Sequence, residues 1–100
     1  MKKRNRSIIT DDLKQCFICG NTEGIEIHEI FFGTANRKKS IEHGLYVGLC
    51  GIRHHRGQNG VHHNRRLDLK LKKIGQAKFE ETHSREEFIK EFGRSYLWEG

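Results

Sequence analysis

The 100-residue chain has no apolar run of the roughly 18 residues that a membrane span requires, and its opening MKKRNR lacks the apolar core of a secretory signal. A cytoplasmic protein with no membrane partner is expected. Hydrophobic residues are few, 34% against 32% charged, so there is little to bury. Chains of this length sit near the lower limit of self-sufficient cores, where a metal staple helps. Cysteine is scarce and odd in number, three residues, which argues against a disulfide framework. In a reducing compartment a Cys-x-x-Cys pair reads instead as metal or redox chemistry. Internal repeats and low-complexity segments are absent.

What the chain has in excess is positive charge, a formal +6. Such a balance points to a polyanionic partner, nucleic acid first, because a dense row of phosphates rewards neutralisation by Lys and Arg. Four of the cations fall in Met1–Arg6, and residues 1–12 read as a mobile basic arm ahead of a single domain over 13–98. A second cluster, Arg37-Lys38-Lys39, sits in FFGTANRKKS, which reads as a loop because Gly, Thr and Asn break any periodic pattern.

The least probable stretch by composition is Gly44–His63, GLYVGLCGIRHHRGQNGVHH, with one cysteine and four of the seven histidines. Upstream, Cys16-Phe17-Ile18-Cys19-Gly20-Asn21 supplies half a zinc site. Two thiolates at that spacing reach one tetrahedral ion, and Gly20 permits the positive φ that such turns need. A redox motif would want a helix starting within the pair, and Gly-Asn-Thr follows instead. Ile25 and Ile27 alternate with Glu26 and His28, then the phase slips, so a short strand ends or bulges at His28-Glu29. Leu45, Val47 and Leu49 make a second strand, and Cys50 ends it. Cys50 can complete the knuckle, with His54 at Cys-x-x-x-His spacing and His55 one residue further. One of these two histidines is then left for other chemistry.

Further on, Leu67, Leu71, Ile74 and Ala77 form a helical stripe interrupted by Gly75, which marks a close approach to another element. Ser84-Arg85-Glu86-Glu87 is a capping box opening a helix that should bury Phe88, Ile89 and Phe92 and stop at Gly93. Tyr96, Leu97 and Trp98 should dock at the end. His83, at the helix junction, reads as structural or exposed.

A cysteine pair, a strand with His at its end, a second strand ending in Leu-Cys and a short helix carrying His: this order resembles the ββα-metal (HNH) nucleases. More closely, it is similar to the small HNH nucleases of phages and prophages, relatives of the phage recombination-enhancement nucleases. The residues that carry the resemblance are His28-Glu29, Phe32-Gly33, Asn36–Ser40, Gly44–Cys50, His54-His55 and Gly60-Val61-His62, and it covers about Leu13–Leu97.

The resemblance implies an α+β fold, a small ββα-metal core with a zinc knuckle and C-terminal helices. It implies a DNA endonuclease of phage DNA processing or recombination, with DNA and a recombination protein as partners. Two metals go with it: a structural Zn2+ and a catalytic Mg2+, or Mn2+, Ni2+ or Zn2+ in its place. His28, His54 and His62 would ligate the catalytic ion, and Glu29 would stand at the base position, with His28 as the other candidate base. Cys16, Cys19 and Cys50 would hold zinc with His55, or with His54 if the two exchange. Arg37, Lys38, Lys39, Arg53 and Arg56 would hold phosphate. The chain departs from the family's pattern in three places. Glu29 stands where many members have His, and Arg53 where relatives place the fourth zinc ligand. His43-Gly44 stand where the central Asn would precede Leu45. A zinc-stapled nucleic-acid-binding module without catalysis is the alternative.

Overall fold

In the computed structural model, which describes residues 6–57 and 60–97, the alternating segment forms β1 (Ile25–Glu29) and the second run forms β2 (Tyr46–Cys50). They pair antiparallel in unbroken register, from Ile25 opposite Cys50 to Glu29 opposite Tyr46, so β1 ends at Glu29 without a bulge. All of β2 is buried, while β1 becomes buried only at His28 and Glu29. The molecule is a small α+β protein built on this two-stranded sheet.

Between the strands, where a loop is expected over Phe31–Ser40, the chain instead forms α1 (Thr34–His43). The pattern hides this helix because it has no apolar stripe: its only buried residue is Ser40. Ser40 Oγ donates to the carbonyl of Phe31 (2.8 Å) and accepts its N–H (3.1 Å), tying the helix to the end of β1. Gly33 and Gly44, both at positive φ, bracket it, and a left-handed residue is the usual way a helix ends.

After β2 come a single π-helical turn (Gly51–His55), α2 (Arg65–Phe79) and α3 (Arg85–Phe92). On α2 the buried residues are Leu71, Gly75, Gln76 and Phe79, with Leu67 half-buried and Ala77 exposed. The stripe is therefore rotated from the one expected, because the helix meets the core through the gap at Gly75. A Cβ there would stand 3.1 Å from Phe31 Cε2, the close approach that the glycine marks. The capping box of α3 forms as expected, and Phe88 and Phe92 are buried. Ile89, expected in the core, is 41% exposed, since the eight-residue helix presents only its Phe88–Phe92 edge inward.

Phe31, carried by the exit of β1, is the centre of the core. Its ring lies 4.6 Å from Phe92, 5.2 Å from Phe88 and 5.6 Å from Tyr96. Buried Gln76 straps the C-terminal segment to α2: its Oε1 accepts from Tyr96 N (2.6 Å) and its Nε2 donates to Ser95 Oγ (2.9 Å). Trp98 lies outside the described residues. So do residues 1–5 of the expected basic arm. From Ser7 onward that arm is docked: buried Ser7 Oγ donates to the carbonyl of Tyr46 (2.7 Å), and Ile8 N–H to that of Gly44 (2.9 Å). No helix among the described residues is long and apolar enough to cross a membrane.

The segment leading to the cysteine pair lies across the middle of β2, where Gly48 leaves room for it. A Cβ at Gly48 would stand 2.6 Å from Leu13 O and 2.8 Å from Ile25 Cγ2. Gly48→Ala is expected to destabilise the protein by about 1–3 kcal/mol through overpacking, read as a lowered urea midpoint at unchanged slope. A second expectation concerns pH. Glu91 Oε1 accepts from His43 Nε2 at 3.0 Å, and this bond lowers its carboxyl below the ordinary range, helped by Lys39 against the cost of burial. A depressed carboxyl stabilises above its unfolded pKa and loses that contribution as pH falls through the folded value. Glu91→Gln should therefore cost at most about 1 kcal/mol at pH 7. The difference from wild type should close in urea titrations as pH falls below the ordinary carboxylate range.

Candidate metal centres

The Cys16–Cys19 turn closes as zinc turns do, with Gly20 N–H donating to the carbonyl of Cys16 (2.8 Å) and Gly20 at φ 80°. Phe17 N–H donates to Gly48 O (2.8 Å), which fixes the turn beside the end of β2. There Cys19 Sγ lies 3.3 Å from Cys50 Sγ, and Cys16 Sγ faces His54 Nδ1 at 3.4 Å. The four ligand atoms all lie within 4.8 Å of one another, and the three cysteines are free thiols. Burial opposes ionisation of Cys16, but the backbone N–H groups of Cys19, Cys50 and Ile18 outweigh it and lower the thiol. Cys50, buried beside Cys19, is raised. Three sulfurs and one imidazole make a donor set compatible with structural zinc.

Directly after Cys50 the backbone makes the π-helical turn, closed by Arg56 N–H to Gly51 O (2.8 Å). It sends two consecutive side chains to different clusters: His54 back to the cysteines and His55 to His28 and His62. The chain then doubles back, with Val61 N–H donating to His54 O (2.8 Å), and this return carries His62 to His55. Glycine is needed at the reversal, since a Cβ at Gly57 would overlap the carbonyl of Ile52.

In the second cluster His55 Nε2 and His62 Nε2 face each other at 3.3 Å, and the ring of His28 is 5.2 Å from each of theirs. Two imidazole nitrogens on one tetrahedral ion at ordinary metal–nitrogen distances stand about 3.3 Å apart. His28 is 1% exposed, and its Nε2 is buried with no hydrogen-bond partner among the described residues. Burial first, then the neighbouring His55 and His62, then Lys72, push His28 down to about 3, so its ring is neutral at physiological pH. Burial also lowers His62, with Asp68 opposing. An orphaned buried nitrogen converging on two others fits a cation.

Glu26 orients this cluster from outside. Its Oε1 lies 2.7 Å from His55 Nδ1, which leaves Nε2 of that ring facing the cluster. Hydrogen bonds from Arg56 and His55 hold the Glu26 carboxyl down, to about 2. Carboxylate, histidine and metal in line is the usual arrangement behind a ligating imidazole. This residue escapes a reading of the sequence; the alternation of β1 puts Glu26 and His28 on one face, and that was the available signal.

The cluster opens into a cleft of about 380 Å³ lined by His28, Glu29, Phe32, Arg37, His55 and His62, among others. Glu29, 7% exposed, lines it beside His28, and Arg37 Nε donates to its Oε1 at 2.9 Å. Comparison with protein-family models, curated proteins and solved structures finds no match.

The structure brings together Cys16, Cys19 and Cys50, and separately His28 and His62, as the sequence leads one to expect. It exchanges the other two histidines. His54, expected on the catalytic ion, belongs to the cysteines, and His55, expected on zinc, joins His28 and His62. The cause is the wide pitch of the turn between Gly51 and His55. Of the cations expected on phosphate, Arg37 pairs with Glu29, Arg56 with Glu26 (2.8 Å), and Lys39 Nζ donates to Glu91 O (2.6 Å). Lys38 and Arg53 form no ion pair among the described residues.

The exchange is testable by cobalt substitution. His54→Ala should weaken the thiolate-to-cobalt absorption and lower thermal stability, because it removes a ligand of the staple. His55→Ala should keep both and lose only a second, exchangeable ion. Equal loss of the thiolate band in both variants would contradict the division.

Proposed function

We propose that this chain is a metal-dependent DNA endonuclease of the ββα-metal type, stapled by zinc on Cys16, Cys19, Cys50 and His54. The observation that carries the reading is the orphaned Nε2 of buried His28, converging with His55 and His62 beside a carboxylate in one cleft. His28, His55 and His62 would hold one divalent cation. Such an ion supplies charge neutralisation on the scissile phosphate and on the departing oxygen.

The chain's own residues supply the rest. Glu29 is the general base. It takes a proton from water as the water oxygen bonds to phosphorus and the bond from phosphorus to the 3′ oxygen breaks. Arg37, bonded to Glu29 Oε1, holds the carboxylate in the cleft. His28 is less suited to the base role, because its ring is buried against the other two imidazoles rather than presented to solvent. Phe32, with its ring 4.8 Å from His62 and 5.8 Å from His28, covers one side of the cluster. Glu26 keeps His55 in the ligating orientation.

The test is nicking of supercoiled plasmid by zinc-loaded protein with added Mg2+, Mn2+ or Ni2+, or excess Zn2+. His55→Ala and His62→Ala should abolish nicking with the fold intact. Glu29→Gln should lower the rate about 10²–10⁴-fold, the range of a lost general base. Wild-type protein that is folded, zinc-loaded and inert with every ion would overturn the proposal.

A further inference from the structure

Beside the cysteine knuckle runs a second groove of about 710 Å³, larger than the three-imidazole cleft. Its walls are the knuckle and the first turns of α2. Arg53, Arg66 and Lys70 line it, together with Ile18 and Ile52, and no carboxylate does. Two further cations, Arg65 and Lys73, continue the same face of α2 in an adjoining hollow of about 620 Å³.

Five of the eleven other cations among the described residues are neutralised from within. Arg37, Arg56, Lys72, Lys78 and Arg85 each have a carboxylate within 3.4 Å. The five around this groove form no ion pair among the described residues. Ile52 stands out from the turn between them, 79% exposed, the most exposed of the large hydrophobic side chains among the described residues. Unpaired positive charge beside a projecting aliphatic side chain is complementary to a DNA strand. Phosphates meet the cations, and an aliphatic side chain meets the sugars and base faces, as in proteins that press apolar wedges against bases. The two hollows adjoin through consecutive residues: His54 lines the groove, and His55 lines the cleft.

We propose that this groove is the DNA seat of the protein: Arg53, Arg66 and Lys70 take successive phosphates, Ile52 rests on the sugar and base edges, and the strand passes over the turn to the imidazole cluster. This rests on the nuclease reading for the identity of the polymer. It reassigns the binding work from Arg37, Lys39 and Arg56, which are held by partners within the protein, to the unpaired cations of the π-turn and α2.

The experiment is fluorescence anisotropy of labelled oligonucleotides, duplex and single-stranded, titrated with zinc-loaded protein across a series of salt concentrations. No further divalent ion is added, so binding is read apart from cleavage. Arg66→Ala/Lys70→Ala is compared with Arg85→Ala/Lys90→Ala on α3, which removes the same two charges from another surface. The groove variant should lose affinity about tenfold or more near 0.1 M salt, with a salt slope smaller by about two contacts. The α3 variant should lose far less. Ile52→Ser should bind more weakly with the salt slope unchanged.

Equal effects of the two double variants would mean that net charge alone attracts DNA, and would overturn the seat. So would a wild-type protein that binds neither oligonucleotide. Wild-type affinity in Ile52→Ser would overturn the apolar contact. The nuclease reading fails separately, by absence of nicking in a protein whose groove variant still shows the specific loss of binding.

Discussion

One turn of backbone decides how this molecule works: the five residues Gly51–His55, wound wider than an α-helix, deliver adjacent histidines to two different clusters. The register of the sheet sets its position. Ile25 opposite Cys50 places the start of the turn beside Glu26, whose carboxylate then reaches both His55 and Arg56. If the turn were tightened, His54 and His55 would be rotated relative to both sulfur and imidazole partners. Single π-turns tend to occur at functional sites for this reason: the extra residue re-aims side chains that a regular helix would stack.

The rest of the fold serves to hold that turn still. Gly48 lets the cysteine-bearing segment lie against β2, so the knuckle and the strand that feeds the turn form one unit. Phe31, two residues beyond the end of β1, is gripped by Phe88 and Phe92, which anchors the strand that carries His28. A chain with so few hydrophobic residues concentrates its packing in this aromatic cluster, while the knuckle has a donor set compatible with structural zinc.

The sequence disclosed those features that depend on residue type at short range. Cys-x-x-Cys with Gly20, the alternation of β1, the Ser84–Glu87 capping box and the terminal Gly93 are all local chemistry, and the molecule has each of them. Helix α1 was not legible, because it contributes no apolar face to the core and is held by Ser40 and two glycines rather than by burial. The inward edge of α2 was not legible either. Gly75 and Gln76 hold positions that a hydrophobicity pattern assigns to leucine, one for clearance against Phe31 and the other for its bonds to Ser95 and Tyr96. As for His54 and His55, spacing allowed both assignments, and only the pitch of the turn distinguishes them. Nor could a list of basic residues separate cations with internal partners from those without; that depends on where Glu26, Glu29 and Glu91 come to lie.

His28 carries the strongest energetic argument that the second cluster exists to bind something. A buried polar atom without a partner costs on the order of 1–3 kcal/mol, a large share of the stability of a small domain. Its ring could have been exposed at the end of a two-stranded sheet at no such cost. Instead β1 sinks at this residue, the α1 junction and Phe32 close over it, and His55 and His62 arrive from a separate part of the chain. A cation there would gather the orphaned nitrogen of His28 with the nitrogens of His55 and His62, which face each other at 3.3 Å.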